Sequence, residues 1–291
     1  MRDFILIDFS WLYNRYYHVA KCNNSTSGLP VPPTLLSMLE QFFSVMQKNY
    51  KDAKVVVALD SPTSSLKNTQ IYEGYKQNRD KESKKEVYAC LDYVLQELIK
   101  FLNPKVFSFI RAKLYEADQL LAYVVKKYHE KHKIIIYSGD KDLLQLTWYP
   151  NTYVSDKFEK GRFLVKSDEE IFEKFKNSKG EDFARISTNK RDILKYRVLK
   201  GDTSDNLPPV FPRIKDKEII ELVKNYWIDE EELTEARIYD ILEDLKADNK
   251  ILAEKLEANK EAWLRNYKIM NLYNPEEMQI KRLGYAKEGR K

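Results

Sequence analysis

Residues Tyr137 to Leu146 read YSGDKDLLQL and follow HKIII, whose three isoleucines have the unbroken apolar character of a strand buried on both faces. Asp140 and Asp142 therefore stand just past the end of a core strand. Upstream, Phe4 to Ile7, Val55 to Leu59 and Val106 to Ile110 share this β-branched or aromatic texture, and the first two also run into an acid, Asp8 and Asp60. Between the strands, TLLSMLEQFFSVMQKNY, KKEVYACLDYVLQELIKFL and ADQLLAYVVKKYHEKH place apolar residues three and four apart, the spacing of helices with one buried stripe. Alternation of strand and helix predicts an α/β doubly wound domain. In such a sheet ligands bind outside the carboxyl ends of the strands, where these acids would converge.

At 291 residues the chain is long enough for one large domain and one smaller one or for two of middling size, and its 43% apolar and 33% charged residues describe a folded chain rather than a disordered one. The net charge of +5 favours meeting a polyanion. Cys22 and Cys90 are far apart with no CxxC partner, which argues against a disulfide framework or thiolate zinc site and fits a reducing cytoplasm. The apolar run in MRDFILIDFSWLYNRYY is interrupted by Asp8 too soon for a signal peptide or a membrane span, and reads as the first strand.

After Leu146 the texture changes. TYVSDKFEKGRFLVK predicts two short strands joined by a turn at Glu159 to Gly161, an antiparallel hairpin at the sheet edge. NSKGEDFARISTNK reads as a linker, and from Arg191 to about Tyr273 the pattern is helical, broken by NLPPVFPR. These features divide the chain into an α/β domain over 1–188 and a smaller helical domain over 189–291, ending in the loose basic tail KRLGYAKEGRK.

LYEAD adds Glu116 and Asp118 at the start of a helix, and GDTSDN adds Asp202 and Asp205. Taken singly, each acid reads as well as a turn residue, an N-cap or a complement to a helix dipole. Their coincidence at strand ends and in one compact turn points instead to a shared pocket. Like charges so gathered need a cation among them, and an all-oxygen donor set suits Mg²⁺ or Mn²⁺ over Zn²⁺. His129 and His132, near a helix C-terminus, read as complements to its dipole, and Trp227 and Trp263 as packing residues.

The series LIDFS, VVVALD, YEGYKQNRD, YEADQLLAYVVKK, SGDKDLLQL and LKGDTSDNLP, spanning Leu6 to about Pro208, resembles the 5′ nuclease family of flap endonucleases and 5′ to 3′ exonucleases, nearest to its T-even phage ribonuclease H branch. The resemblance implies a PIN-like α/β fold with a helical arch and a C-terminal all-helical domain of modified helix-three-turn-helix type. It implies two Mg²⁺ ions, with Mn²⁺ as substitute, held or oriented by Asp8, Asp60, Glu116, Asp118, Asp140 and Asp142, with Asp202 and Asp205 completing the second site. Asp8 and Asp60 would act in catalysis with Lys76 and Arg79, which on a helix would share a face and point at the scissile phosphate. Tyr75 would stack on a terminal base, and Lys81, Lys84 and Lys85 would lie in the arch. Lys200, Arg213, Lys215 and Lys217 are candidates for duplex phosphates.

Two departures stand out. Relatives often carry a fourth acid after EAD, where Gln119 stands here, which implies altered affinity at the second metal site. Many also continue after GDTSDN with a Gly-Ile-Gly turn, whereas this chain reads LPPVFPRIKDKEIIELV, and proline has no N–H to offer a phosphate. The expected substrates are 5′-flap, nicked or gapped DNA and RNA·DNA hybrid, with primer removal in replication as the role. A single-stranded-DNA-binding protein or sliding clamp is the expected partner, and a monomer in the cytoplasm, or a host cytoplasm for a phage protein, the expected state. The competing readings are a flap-DNA-binding protein of the same fold without turnover, and a PIN-like ribonuclease, which would lack the arch and the long helical domain.

Overall fold

The computed structural model describes residues 3–27, 31–80, 85, 87–175, 189–228, 231–273 and 275–283. Its central sheet holds β1 (Phe4–Asp8), β2 (Lys54–Ala58), β3 (Phe107–Ala112), β4 (Ile134–Tyr137) and β5 (Thr152–Ser155), all parallel, in the order β5-β4-β1-β2-β3. The chain moves outward from β1 in one direction through β2 and β3, then returns to its other side for β4 and β5. The strand order thus reverses beside β1, and the carboxyl ends of β1 and β4 flank the switch point where such sheets bind ligands.

The strands form here because both faces are covered. Ile5, Ile7, Val55, Val57, Phe107, Phe109 and Ile135 pack into one buried layer with α1 (Phe9–Ser27), α2 (Val31–Asn49) and α4 (Leu91–Phe101). Leu6, Val56, Ile110, Ile134 and Ile136 face the other way, into α5 (Ala117–Tyr128). Helix α1 was not anticipated, although Phe9, Leu12, Tyr13, Tyr17 and Ala20 are all buried at helical spacing. A short α3 (Leu66–Ile71) lies between β2 and the YEGYKQNRD segment.

The expected edge hairpin resolves into three strands. TYVS is β5 and joins the main sheet parallel to β4, because Val154 is buried against that core. The hairpin is β6 (Lys157–Glu159) with β7 (Arg162–Leu164), a separate antiparallel pair. Its turn puts Lys160 at φ 50° and Gly161 at φ 78°, the left-handed pair that a tight hairpin needs. A short α6 (Asp168–Glu173) follows.

Helices α7 (Asp192–Lys200), α8 (Asp216–Asn225), α9 (Glu235–Asp248), α10 (Lys250–Glu257) and α11 (Lys260–Met270) fill the C-terminal region. Their core is continuous with the α5 side of the sheet. Trp227 and Trp263 are fully buried in it, rings crossed edge to face at 5.4 Å. The segment joining α7 to α8 is pinned by buried Leu207, Val210, Phe211 and Ile214, and the Val210 N–H donates to the Leu199 carbonyl. Part of the expected loose tail is ordered: β8 (Ile280–Arg282) pairs antiparallel with β3, so the chain returns from the helices to the sheet. Most of the expected linker, and the boundary at 188, lie outside the described residues.

Candidate active site

Acids from three strand ends are held by hydrogen bonds that cross between strands. Asp8, the last residue of β1, accepts the Trp11 N–H at 3.0 Å through Oδ1 and the Ser138 hydroxyl at 2.8 Å through Oδ2. Asp60, just past β2, accepts the Ser10 hydroxyl at 2.7 Å and the Ala117 N–H at 2.8 Å, which ties it to the first turn of α5. Past β4, the Asp140 N–H donates to Ser138 Oγ, and Asp140 Oδ1 accepts the Asp142 N–H at 2.9 Å. Burial, reinforced by the Asp60 and Asp140 charges, pushes the Asp8 carboxyl up to about 7 against the bond from Trp11.

Glu116 is the N-cap of α5, and Gln119 Oε1 accepts the Glu116 N–H at 3.0 Å, closing a capping box. Gln119 thus serves helix initiation. Asp118 lies in the first turn, and burial together with the Glu116 charge raises its pKa well above the ordinary carboxylate range. The GDTSDN loop starts at Gly201, at φ 74°, where a side chain would put Cβ 2.5 Å from the Leu207 carbonyl oxygen. Asp202 then caps a 3₁₀ turn over Thr203–Asp205 by accepting the Ser204 N–H and hydroxyl.

Protein cations already stand among these acids. Lys76 Nζ lies 2.6 Å from Glu116 Oε1 and 3.8 Å from Asp205, and Arg79 Nη2 lies 2.5 Å from Asp205 Oδ1. Burial alone would lower the Lys76 pKa, but the Glu116 and Asp205 charges outweigh it and the net shift is upward. Arg197, on α7, bridges Asp142 and Asp202 through one Nη2. Burial pushes Asp142 up to about 7 against the opposing Arg197 charge, while Asp202 is lowered because its Ser204 and Arg197 bonds outweigh its burial. Sequence reading missed Arg197, which sits in DILKYRVLK among residues that are nearly all buried; the available signal was a cation five positions before Asp202.

Two expectations for YEGYKQNRD are corrected. Residues 73–79 form successive turns rather than a helix, with Lys76 at φ 56°, so Lys76 and Arg79 reach the acids through turn geometry and not through a shared helical face. Tyr75 is 5% exposed, with its hydroxyl donating to Glu116 Oε2 at 2.9 Å and its oxygen 3.2 Å from Asp205. It is a buried brace between two acids, with its ring unavailable for base stacking.

Asp118, Asp140, Asp142, Asp202 and Asp205 line one cleft of about 630 Å³, together with Lys76, Arg79, Arg197 and Lys200. Asp60, Glu116 and Tyr75 line an adjoining cleft of about 480 Å³, and Lys76 and Arg79 belong to both walls. Asp8 lines neither and lies buried below. The donor set is entirely oxygen, and carboxyls gathered this closely suit a hard divalent cation. Among the described residues, no three of these side chains are gathered tightly enough to hold one ion as they lie, so loading would require carboxylates to turn away from their lysine and arginine partners.

Lys200 pairs with Asp216 at 2.6 Å, while Arg213, Lys215 and Lys217 are exposed around the start of α8. Lys85 is exposed, and Lys81 and Lys84 lie outside the described residues. No described helix is long and apolar enough to cross a membrane.

Comparison with known proteins bears on the family and the fold. The chain is 28% identical over 274 residues to a 5′-3′ exonuclease of Buchnera aphidicola, covering 92% of this chain and 85% of that one. It is 27% identical to a 5′-3′ exonuclease of Aquifex aeolicus, covering 96% and 86%. Among solved structures, the fold matches the T5 D15 protein co-crystallised with metal ions, with a TM-score of 0.64, 20% identity and coverage of 94% and 90%. It also matches the bacteriophage T5 D15 flap endonuclease in a pseudo-enzyme-product complex with DNA and metal ions, with a TM-score of 0.62, 19% identity and the same coverage. The family model for the 5′-3′ exonuclease N-terminal, resolvase-like domain matches residues 3–176, and the chain belongs to that 5′-3′ exonuclease family.

Proposed function

We propose that this protein is a divalent-metal-dependent 5′ nuclease that hydrolyses 5′ flaps, nicked duplex DNA and RNA·DNA hybrids by a two-metal mechanism, and that it removes RNA primers during replication. The observation that carries the reading is the convergence of acids from the ends of β2 and β4, the start of α5 and the loop after α7 on two clefts sharing a cationic wall, with Asp8 of β1 buried beneath them. Asp8, Asp60, Glu116, Asp118, Asp140, Asp142, Asp202 and Asp205 would hold or orient Mg²⁺, with Mn²⁺ as substitute. Bound there, the ions would supply Lewis-acid charge to the attacked phosphodiester and lower the pKa of the attacking water.

The chain's own residues do the positioning. Lys76 and Arg79 stand where the two clefts meet, so a phosphate drawn into either meets both side chains. Tyr75, donating to Glu116, fixes that acid while Lys76 is free to exchange it for phosphate. Exposed Lys85, Arg213, Lys215 and Lys217 and the cleft residue Lys200 would take backbone phosphates, which position without reading sequence. The Pro208-Pro209 run and the engaged Val210 N–H leave that grip to side chains rather than to backbone donors.

The test is a set of 3′-labelled substrates: a 5′-flap duplex, a nicked duplex and the same duplex with a 5′-RNA segment, each with Mg²⁺, Mn²⁺ or EDTA. The expected result is metal-dependent release of 5′ fragments from all three, leaving 5′-phosphate and 3′-hydroxyl ends. Cleavage of the DNA substrates alone would remove the primer-removal role. Flap binding without cleavage under any metal would favour a binding protein of the same fold.

A further inference from the structure

Gln145 lies in the 3₁₀ turn Asp142–Trp148 and is only 1% exposed, yet its amide is engaged on three sides. Nε2 donates to the Asp142 carbonyl at 2.9 Å and to the Met270 carbonyl at 3.1 Å, and Oε1 accepts the Leu272 N–H at 3.0 Å. Met270 is the last residue of α11, where a helix leaves carbonyls without intrahelical partners. A single buried side chain therefore joins the backbone of an acid in the cleft to the end of the final helix, 125 residues away in sequence.

The same helix reaches the opposite acid loop. Asn266, fully buried on α11, donates through Nδ2 to the Val198 and Pro208 carbonyls, both at 2.9 Å. Those two carbonyls flank the GDTSDN loop, and Arg197, next to Val198, spans Asp142 and Asp202. Helix α11 thus touches the supports of both acids that Arg197 bridges, through Gln145 on one side and Asn266 on the other.

We propose that Gln145 is a positioning residue that sets the spacing of Asp142 against Asp202 by seating the Asp142 turn on α11, and so tunes divalent-cation affinity. This rests on the metal-binding reading above. Partners just outside a metal's own ligands commonly govern its affinity by orienting those ligands. Gln145 acts on the Asp142 main chain and touches no substrate.

The experiment compares wild type, Gln145→Met and Tyr149→Phe, measuring free Mn²⁺ by electron paramagnetic resonance during titration, the thermal midpoint, and affinity for a 5′-flap duplex in EDTA. Tyr149 makes a similar tie, its hydroxyl donating to the Tyr273 carbonyl at 2.5 Å, but at the far end of the turn from Asp142. It reports what general loosening does. The expected result is about tenfold weaker Mn²⁺ binding in Gln145→Met, about unchanged Mn²⁺ binding in Tyr149→Phe, and flap affinity in EDTA preserved in both. Should Gln145→Met fail to fold, Gln145→Asn keeps a buried amide but withdraws it from Met270 and Leu272, and is expected to shift Mn²⁺ affinity the same way. Wild-type Mn²⁺ affinity in the folded Gln145 variant, or an equal loss in Tyr149→Phe, overturns the positioning role alone. Failure of wild type to bind Mn²⁺ overturns both this role and the metal reading beneath it.

Discussion

At Arg197 one guanidinium serves two carboxylates, Asp142 and Asp202, with 10% of its side chain exposed. Removing it leaves two half-buried acids without their counter-ion, so Arg197→Ala should destabilise the metal-free protein by about 3 kcal/mol in urea denaturation, and divalent cation should restore part of that loss. Equal losses with and without cation would separate Arg197 from the metal site. Asp8 and Asp142, pushed up to about 7, predict a pH dependence of the opposite sign from ordinary surface acids. With a folded pKa above the unfolded carboxylate value, the native state holds more protons between about pH 4 and 7, and stability falls as pH rises through that window. The thermal midpoint in EDTA should therefore drop between about pH 4 and 7, and saturating Mg²⁺ should remove the drop; a midpoint flat in EDTA would contradict it. The acids were legible because a carboxylate breaking an apolar run is visible in one dimension. Arg197, Gln145 and the burial of Tyr75 were not, since each takes its meaning from residues distant in sequence.

Gly201 shows how an element boundary controls the site. It ends α7 at φ 74°, packed too closely against the Leu207 carbonyl to admit a Cβ, and turns the chain directly into Asp202. Gly201→Ala should cost more than about 1 kcal/mol and lower Mn²⁺ affinity together with stability, as read by thermal denaturation and titration. A variant as stable as wild type would show that the loop tolerates another path. The four central strands and the helices between them could be read from periodicity because buried parallel strands leave nearly continuous apolar runs. Helix α1 was hidden by its many tyrosines and asparagines, which blur the apolar stripe that Phe9, Leu12, Tyr13 and Tyr17 form. Strand β5 was drawn into the hairpin because an edge strand of four residues carries too little pattern to declare its partner. Strand β8 is three exposed residues in basic sequence, and only its pairing with β3 identifies it.

Across the whole molecule, a modest net charge of +5 coexists with a main cleft in which Lys76, Arg79, Lys141, Lys174, Arg197 and Lys200 stand beside five aspartates, so the centre carries its own counter-charge before any polyanion arrives. The C-terminal helices share one continuous core with the α5 face of the sheet, and this common packing fixes the GDTSDN loop against the strand ends. The family and the mostly parallel sheet were legible in the order of the motifs. The way protein cations stand in among the acids was not, because it depends on the assembled fold. The most direct test is single-turnover cleavage of a 3′-labelled 5′-flap duplex by wild type and Asp140→Asn, each with Mg²⁺ and with EDTA. The account predicts cutting at the flap junction by wild type with Mg²⁺ only, and its loss in Asp140→Asn with flap binding retained. Cutting that survives EDTA, or an Asp140→Asn variant as fast as wild type, would contradict it.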